Sequence, residues 1–125
     1  MPNKLQRIRI GSGALDAAGD AEAYSVPVRG KVLAVQIKYP SNTCEVDLTS
    51  SDEQVEQTVL DLAASNTDVV VYPRVKVQNN AGTDVTYDGT NEVHEEYVVF
   101  GRLKLVIASG TEGDEVTVDV LVEEY

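Results

Sequence analysis

The sequence predicts an all-β chain folded as a two-sheet β-sandwich, jelly-roll-like, with about eight short antiparallel strands. Three observations carry this. Apolar residues alternate strictly in several short runs, clearest at Val116, Val118, Val120 and Val122. The runs are separated by clusters of Gly, Pro, Asn, Asp and Ser rather than by long polar helices. The apolar positions are dominated by β-branched side chains, which suit a pleated core. A jelly roll is preferred to an immunoglobulin-type sandwich because the chain has no tryptophan and a single cysteine.

Taken in order, Leu5 to Ile10 reads as a short half-buried strand, with Ile8 and Ile10 on one face and Arg7 and Arg9 on the other. Gly11 to Asp20 is a loop, since Gly11, Gly13 and Gly19 disfavour a helix. Tyr24, Val26 and Val28 alternate with Ser25, Pro27 and Arg29. Pro27 cannot donate to a ladder, which places this strand at a sheet edge. Leu33, Val35, Ile37 and Tyr39 share one strand face. After a turn at 40–43, Cys44, Val46 and Leu48 share the next, so the two are expected to form a hairpin. Ser51-x-x-Gln54 fits a capping box and predicts a short helical turn over 51–56. A strand follows around Val59.

The stretch 69–97 then alternates strands and turns. Val69 to Gln78 is an apolar strand interrupted by Pro73, and polar turns at 79–84 and 85–91 lead to a further strand ending at Tyr97. Leu103, Leu105 and Ile107 mark the next strand, and the Val116–Val122 run is the last. The segments Val28-Arg-Gly-Lys-Val32 and Val99-Phe-Gly-Arg-Leu103 echo each other. The simpler reading is that all hairpins look alike. Gly30 and Gly101 are both expected at corners that reverse the chain. The organisation expected is an N-terminal arm or strand and loop over 1–22 and a single sandwich over 23–125.

A chain of 125 residues supports one domain with a real core. One cysteine excludes an internal disulfide. No run is long and apolar enough to span a bilayer. The first ten residues lack a signal-peptide core, and synthesis and use in a cytoplasm are expected. The net charge of −11 argues against nucleic acid as a partner, which calls for a basic footprint. Residues 1–31 nevertheless hold five basic and three acidic residues, so the whole acidic excess lies beyond them. A solvated acidic surface explains most of this. A basic segment carrying Lys4, Arg7 and Arg9, held against an acidic neighbour, is the sharper reading.

No catalytic constellation stands out. His94, beside Glu95 and Glu96, has no serine or cysteine nucleophile in a recognisable motif and reads as a surface histidine. His94 and Cys44 do not make a usual zinc set, and no metal or cofactor is expected. Cys44 reads as a buried structural thiol. Asp52, Glu53 and Glu56 fall close together on a turn. Asp84, Asp88, Asn91 and Glu92 form an oxygen-rich loop without EF-hand spacing: a solvated turn by default, a calcium loop as the minority reading. Gly11-Ser-Gly13 lacks the later glycine and the helix of a phosphate loop. The tyrosines at 24, 39, 72, 87, 97 and 125 mark candidate contacts without naming a partner.

Several stretches carry a resemblance: Val26-Pro-Val-Arg-Gly-Lys-Val-Leu-Ala-Val35, Tyr72-Pro-Arg74, Val85-Thr-Tyr-Asp-Gly-Thr-Asn91, Tyr97-Val-Val-Phe-Gly-Arg-Leu103 and Val116-Thr-Val-Asp-Val-Leu-Val122. From Val26 onward the chain resembles virion structural proteins of tailed bacteriophages, most of all capsid decoration (cement) proteins. The resemblance implies a non-enzymatic homo-oligomer, typically a trimer, that binds the major capsid protein on the outer head surface and stabilises the shell. It implies assembly in the host cytoplasm and residence in the virion, with no nucleic acid or membrane partner. The interface candidates are Lys4, Arg7 and Arg9, together with Tyr72, Arg74 and Tyr87. The alternatives are another virion β-sandwich, from a tail or head fibre, and a carbohydrate- or receptor-binding module, with a carboxylate enzyme well behind.

Overall fold

The computed structural model describes residues 4–124. Tyr125, one of the contact candidates, and residues 1–3 of the N-terminal segment lie outside them. The described residues hold eleven strands and no helix: β1 (Lys4–Gly11), β2 (Ala21–Tyr24), β3 (Val28–Lys38), β4 (Cys44–Ser50), β5 (Thr58–Ser65), β6 (Val69–Val71), β7 (Val75–Lys76), β8 (His94–Glu95), β9 (Tyr97–Gly101), β10 (Leu103–Ala108) and β11 (Thr117–Glu124).

One sheet has the order β1-β11-β3-β6, with β9 beside the first half of β3; the other has the order β2-β10-β4-β5. All pairings within these two sheets are antiparallel. Their inward faces meet in one core. Val32, Val35, Val118, Val120 and Val122 come from the first sheet, and Val46, Leu48, Leu103, Leu105 and Ile107 from the second. Each of these side chains contributes roughly 1.5–3 kcal/mol by leaving water. The strict valine alternation of β11 is therefore the pleat of a strand between two neighbours, with one face turned to the core.

Several expectations change in detail. β1 pairs with β11 along its whole length and puts Ile8 and Ile10 into the core, so Lys4–Gly11 is a strand of the sandwich. β3 and β4 do not form a hairpin. The chain crosses from one sheet to the other between Lys38 and Cys44, and the two strands face each other through side chains rather than hydrogen bonds. Val32 takes the inward place expected for Leu33, because the β3–β11 register shifts there and leaves Leu33 as an extra residue. Tyr24, Val26 and Val28 do not share a face: Tyr24 ends the edge strand β2, Val26 is exposed, and Val28 is buried at the start of β3.

The capping box caps nothing. Residues 51–55 form turns and bends, and Asp52 bonds to Arg102 instead: its carboxylate accepts from the Arg102 amide at 2.9 Å and from the guanidinium at 2.9 and 3.0 Å. The guanidinium also lies over the Tyr24 ring, 4.6 Å from its centroid. This clamp holds the loop across the bend at Gly101, whose φ of +103° favours glycine. This bend passes the chain from β9 in the first sheet to β10 in the second, without the reversal expected at Gly101.

Gly30 is not a corner. It lies inside β3, where the Glu123 carbonyl oxygen would stand 2.0 Å from any Cβ. The two echoed segments pair with each other, Val28 opposite Gly101 and Gly30 opposite Val99. The echo extends to the wiring: exchanging β3 with β10, β4 with β11, β1 with β5 and β2 with β6 maps β1-β11-β3-β6 onto β5-β4-β10-β2.

Between β6 and β9 the chain leaves the sandwich. Residues 73–96 form a tongue: Pro73 at its root is buried, and none of residues 74–96 joins the core. At its base β7 pairs with β8. Beyond them three valines spaced eight apart close a ring of backbone hydrogen bonds: the Val77 amide donates to Val93, that of Val93 to Val85, and that of Val85 to Val77, at 2.8–3.1 Å. Each of the two turns is tied by one side chain. Asn79 accepts from the amides of Ala81 and Thr83, and Asp88 from those of Thr90 and Asn91.

Candidate interaction surface

The alternation that buries one face of each sheet leaves the other outside, and the two outer faces differ in charge. On the second sheet, Glu22, Glu45, Asp47 and Asp61 face outward with Lys104 among them. On the first sheet, antiparallel register places Leu5, Glu123, Lys31 and Val98 in one row across four strands. Arg7 stands opposite Leu121 and Arg29 opposite Phe100. Phe100 is 62% exposed and Val98 52%. Large apolar side chains set among charged ones on an exposed sheet face are the composition of a contact surface rather than of a solvated one.

Further along the same face a shallow groove is lined by Arg9, Gln36, Lys38, Val70, Thr117 and Asp119. Its cations are matched. Arg9 makes a two-pronged ion pair with Asp119 at 2.8 and 3.0 Å, and Lys38 bonds Asp68 at 2.9 Å. Both carboxyl groups are held below their usual range by these partners.

The six interface candidates fall into three places. Lys4, Arg7 and Arg9 lie on β1, at the edge of the first sheet, with Arg9 committed to Asp119. Tyr72 and Arg74 sit at the root of the tongue. Tyr72 is 64% exposed, and Arg74 donates to the Leu33 carbonyl at 3.1 Å, bracing the tongue against the bulge of β3. Tyr87, 72% exposed, is in the tongue's second turn. Val98, Phe100, Arg29 and Lys31 were not singled out from the sequence. Their signal was present, because Val98 and Phe100 alternate with the buried Val99, but alternation alone does not say which face is the core.

The oxygen-rich loop uses its own oxygens. Asp88 serves the turn amides, Asp84 accepts from Gln78 at 3.0 Å, and Glu92 lies 2.9 Å from Lys76. Among the described residues, no group of three or more His, Cys, Asp or Glu residues is arranged to hold a metal ion. His94 is exposed on β8, opposite Lys76.

Cys44 is fully buried, and burial followed by the nearby Asp114 charge pushes its thiol pKa up. Labelling of native protein by an aromatic disulfide reagent at pH 8 is therefore expected to run at about a tenth or less of the free-thiol rate. Full reactivity should return only on denaturation; rapid labelling of native protein would contradict the burial.

Asp47 and Asp61 face each other across β4 and β5. Burial, then the hydrogen bond and charge of Asp61, raise the Asp47 pKa from 3.8 to about 6. The folded state therefore holds this proton more tightly than the unfolded state. The stabilisation is complete below the unfolded value near 3.8 and is lost as pH rises through about 6. Asp47→Asn is expected to stabilise the protein by about 1 kcal/mol at pH 8 and to change it little at pH 4. Urea melts at the two pH values measure this. A variant destabilised at pH 8 would refute it. Neither carboxylate lines either of the surface grooves at Arg9–Asp119 and at Asp16–Glu22.

Compared with protein-family models, with curated proteins and with solved structures, the chain matches none.

Proposed function

We propose that this protein works by binding alone, as one of many copies on a larger assembly, in the manner of a capsid decoration protein of a tailed bacteriophage. The observation that carries the reading is the outer face of the first sheet, where Leu5, Leu121, Val98 and Phe100 stand exposed beside Arg7, Arg29 and Lys31. Such a face fits a protein partner with an acidic, partly apolar surface, here the major capsid protein of the head. Weak contacts suffice, since many copies on one shell add by multivalency.

Two further features support it. The wiring, with β1 beside β11 and the chain crossing repeatedly between the sheets, suits the jelly-roll reading of the sandwich. Asp47, the carboxyl whose pKa is raised, lines neither the groove at Arg9–Asp119 nor the one at Asp16–Glu22, unlike a catalytic acid set in a pocket. A calcium-dependent receptor module is disfavoured by the loop oxygens of Asp84, Asp88 and Glu92, which already meet protein donors.

The test is binding of the purified protein to expanded, undecorated heads of its own phage, imaged by cryo-electron microscopy. Regular density on the outer shell, lost in an Arg7→Glu/Leu121→Ser variant that still folds, is the expected result. Density on tails or fibres would move the site within the virion. Absence from virions would overturn the reading in favour of a carbohydrate- or receptor-binding module.

A further inference from the structure

The tongue has no evident role in its own chain. Its strands β7 and β8 are two residues each, and its small interior rests on Val77, Val85 and Val93, which are only half-buried. A two-stranded ribbon of this kind is marginal by itself in water. Its charge is one-sided. From Val77 to Glu96 there are five carboxylates (Asp84, Asp88, Glu92, Glu95 and Glu96) and no lysine or arginine. Lys76 at the root offsets one of them through Glu92. Tyr87, the large apolar group of its second turn, is exposed.

The surface that complements this segment is on the same molecule. The outer face around β9 offers Arg29 and Lys31 as cations, Lys31 with Glu123 opposite it on β11, and Phe100 and Val98 as an apolar floor. We propose that the tongue of one copy docks on this face of a second copy. Tyr87 then packs on Phe100 and Val98, and the tongue carboxylates face Arg29 and Lys31. Tongue and face are different patches, so the contact is head-to-tail, and it closes into a ring when the rotation between copies permits. The docked tongue takes the β9 side of the outer face, with Arg29, Lys31, Val98 and Phe100, and leaves the β1–β11 side, with Leu5, Arg7 and Leu121, for the larger assembly; the contact deepens the binding role proposed above and rests on that reading for its biological setting alone.

Two single-cysteine substitutions test it directly. Tyr87→Cys and Phe100→Cys are made in separate chains, purified, mixed and oxidised, with buried Cys44 as the unreactive background. Docking predicts that the mixed disulfide forms at least about tenfold faster than either self-disulfide, because the contact raises effective concentration. Sedimentation gives the second readout. The wild-type chain should self-associate at low salt, and Arg29→Glu/Lys31→Glu or replacement of residues 78–92 by two glycines should yield monomers. The tongue lies outside the core, so an unchanged denaturation midpoint shows that the shortened chain still folds. A wild-type chain that stays monomeric at about 100 µM and low salt, far above typical specific affinities, would overturn the proposal. So would preferential Phe100→Cys self-crosslinking, or association that survives tongue removal. Head binding is measured separately, so a monomeric chain that still decorates heads would sink this contact and leave the proposed function standing.

Discussion

Replacing Gly30 with valine is expected to cost roughly 3 kcal/mol or more, a large part of the stability of a domain this size. Gly30 lies in the interior of β3, between β11 and β9, with Glu124 and Val99 as its register partners. A Cβ built on it would lie 2.0 Å from the Glu123 carbonyl oxygen and 2.9 Å from both the Glu123 carbonyl carbon and the Glu124 Cα. Those atoms are backbone in the last pairs of the β3–β11 ladder, so no side chain can swing away to make room. Either the ladder opens at the end of β11 or β3 shifts away from β9. Denaturant melts should show a lower midpoint at an unchanged slope. Gly11 is the control: a Cβ there meets nothing within 4 Å, and Gly11→Ala should stay within about 0.5 kcal/mol of wild type. A neutral Gly30→Val would mean that β3 and β11 are not packed in this register.

The second large effect is expected at Leu48. Its side chain is fully buried in the centre of the second sheet, with Leu105 and Leu60 as its cross-strand partners. Leu48→Ala removes that apolar surface and leaves a cavity that two flanking strands restrain from collapsing. A loss of about 3 kcal/mol follows, lowering Tm by about 10 °C for a chain of this length. Leu121→Ala removes the same atoms from the outer face, where the side chain is exposed, and should change the stability of the isolated chain by about 0.5 kcal/mol or less. Calorimetry on the two variants separates core from surface. Equal effects would contradict the assignment of faces, and with it the face proposed for binding.

The gap between the periodic pattern and the fold is clearest in β3. Alternation marked Leu33 and Val35 as one face, whereas the strand turns Val32 inward and leaves Leu33 as the extra residue of a bulge. Nothing local marks the switch, because Val32 and Leu33 are both apolar and either can serve as the buried member. The same holds for the link between β3 and β4. Both strands point their apolar sides at one core, so their sequences are the same whether they are bonded as a hairpin or stacked across the sandwich. The Ser51-x-x-Gln54 signal failed for a different reason: Asp52 has a stronger partner in Arg102, distant in sequence, and the two-pronged ion pair with the Arg102 amide outweighs a single helical turn.

The candidate surface was legible in part. Charge pointed to Lys4, Arg7 and Arg9, and aromatic exposure to Tyr72 and Tyr87, but Arg9 is spent on Asp119. Phe100 and Val98 became visible only once Val99 was seen to be the buried member of their strand. By itself the sequence determined the all-β class, most of the strands, the buried thiol at Cys44 and the acidic excess. These follow from period-two alternation, turn chemistry and composition, which act over a few neighbouring residues. The tertiary structure alone decided which strands share a sheet, where the register slips, why Gly30 must be glycine, and that 74–96 stands outside the core as a tongue. Each of those depends on contacts between residues far apart in the chain, and a pleat repeating every second residue has no means of recording its partner.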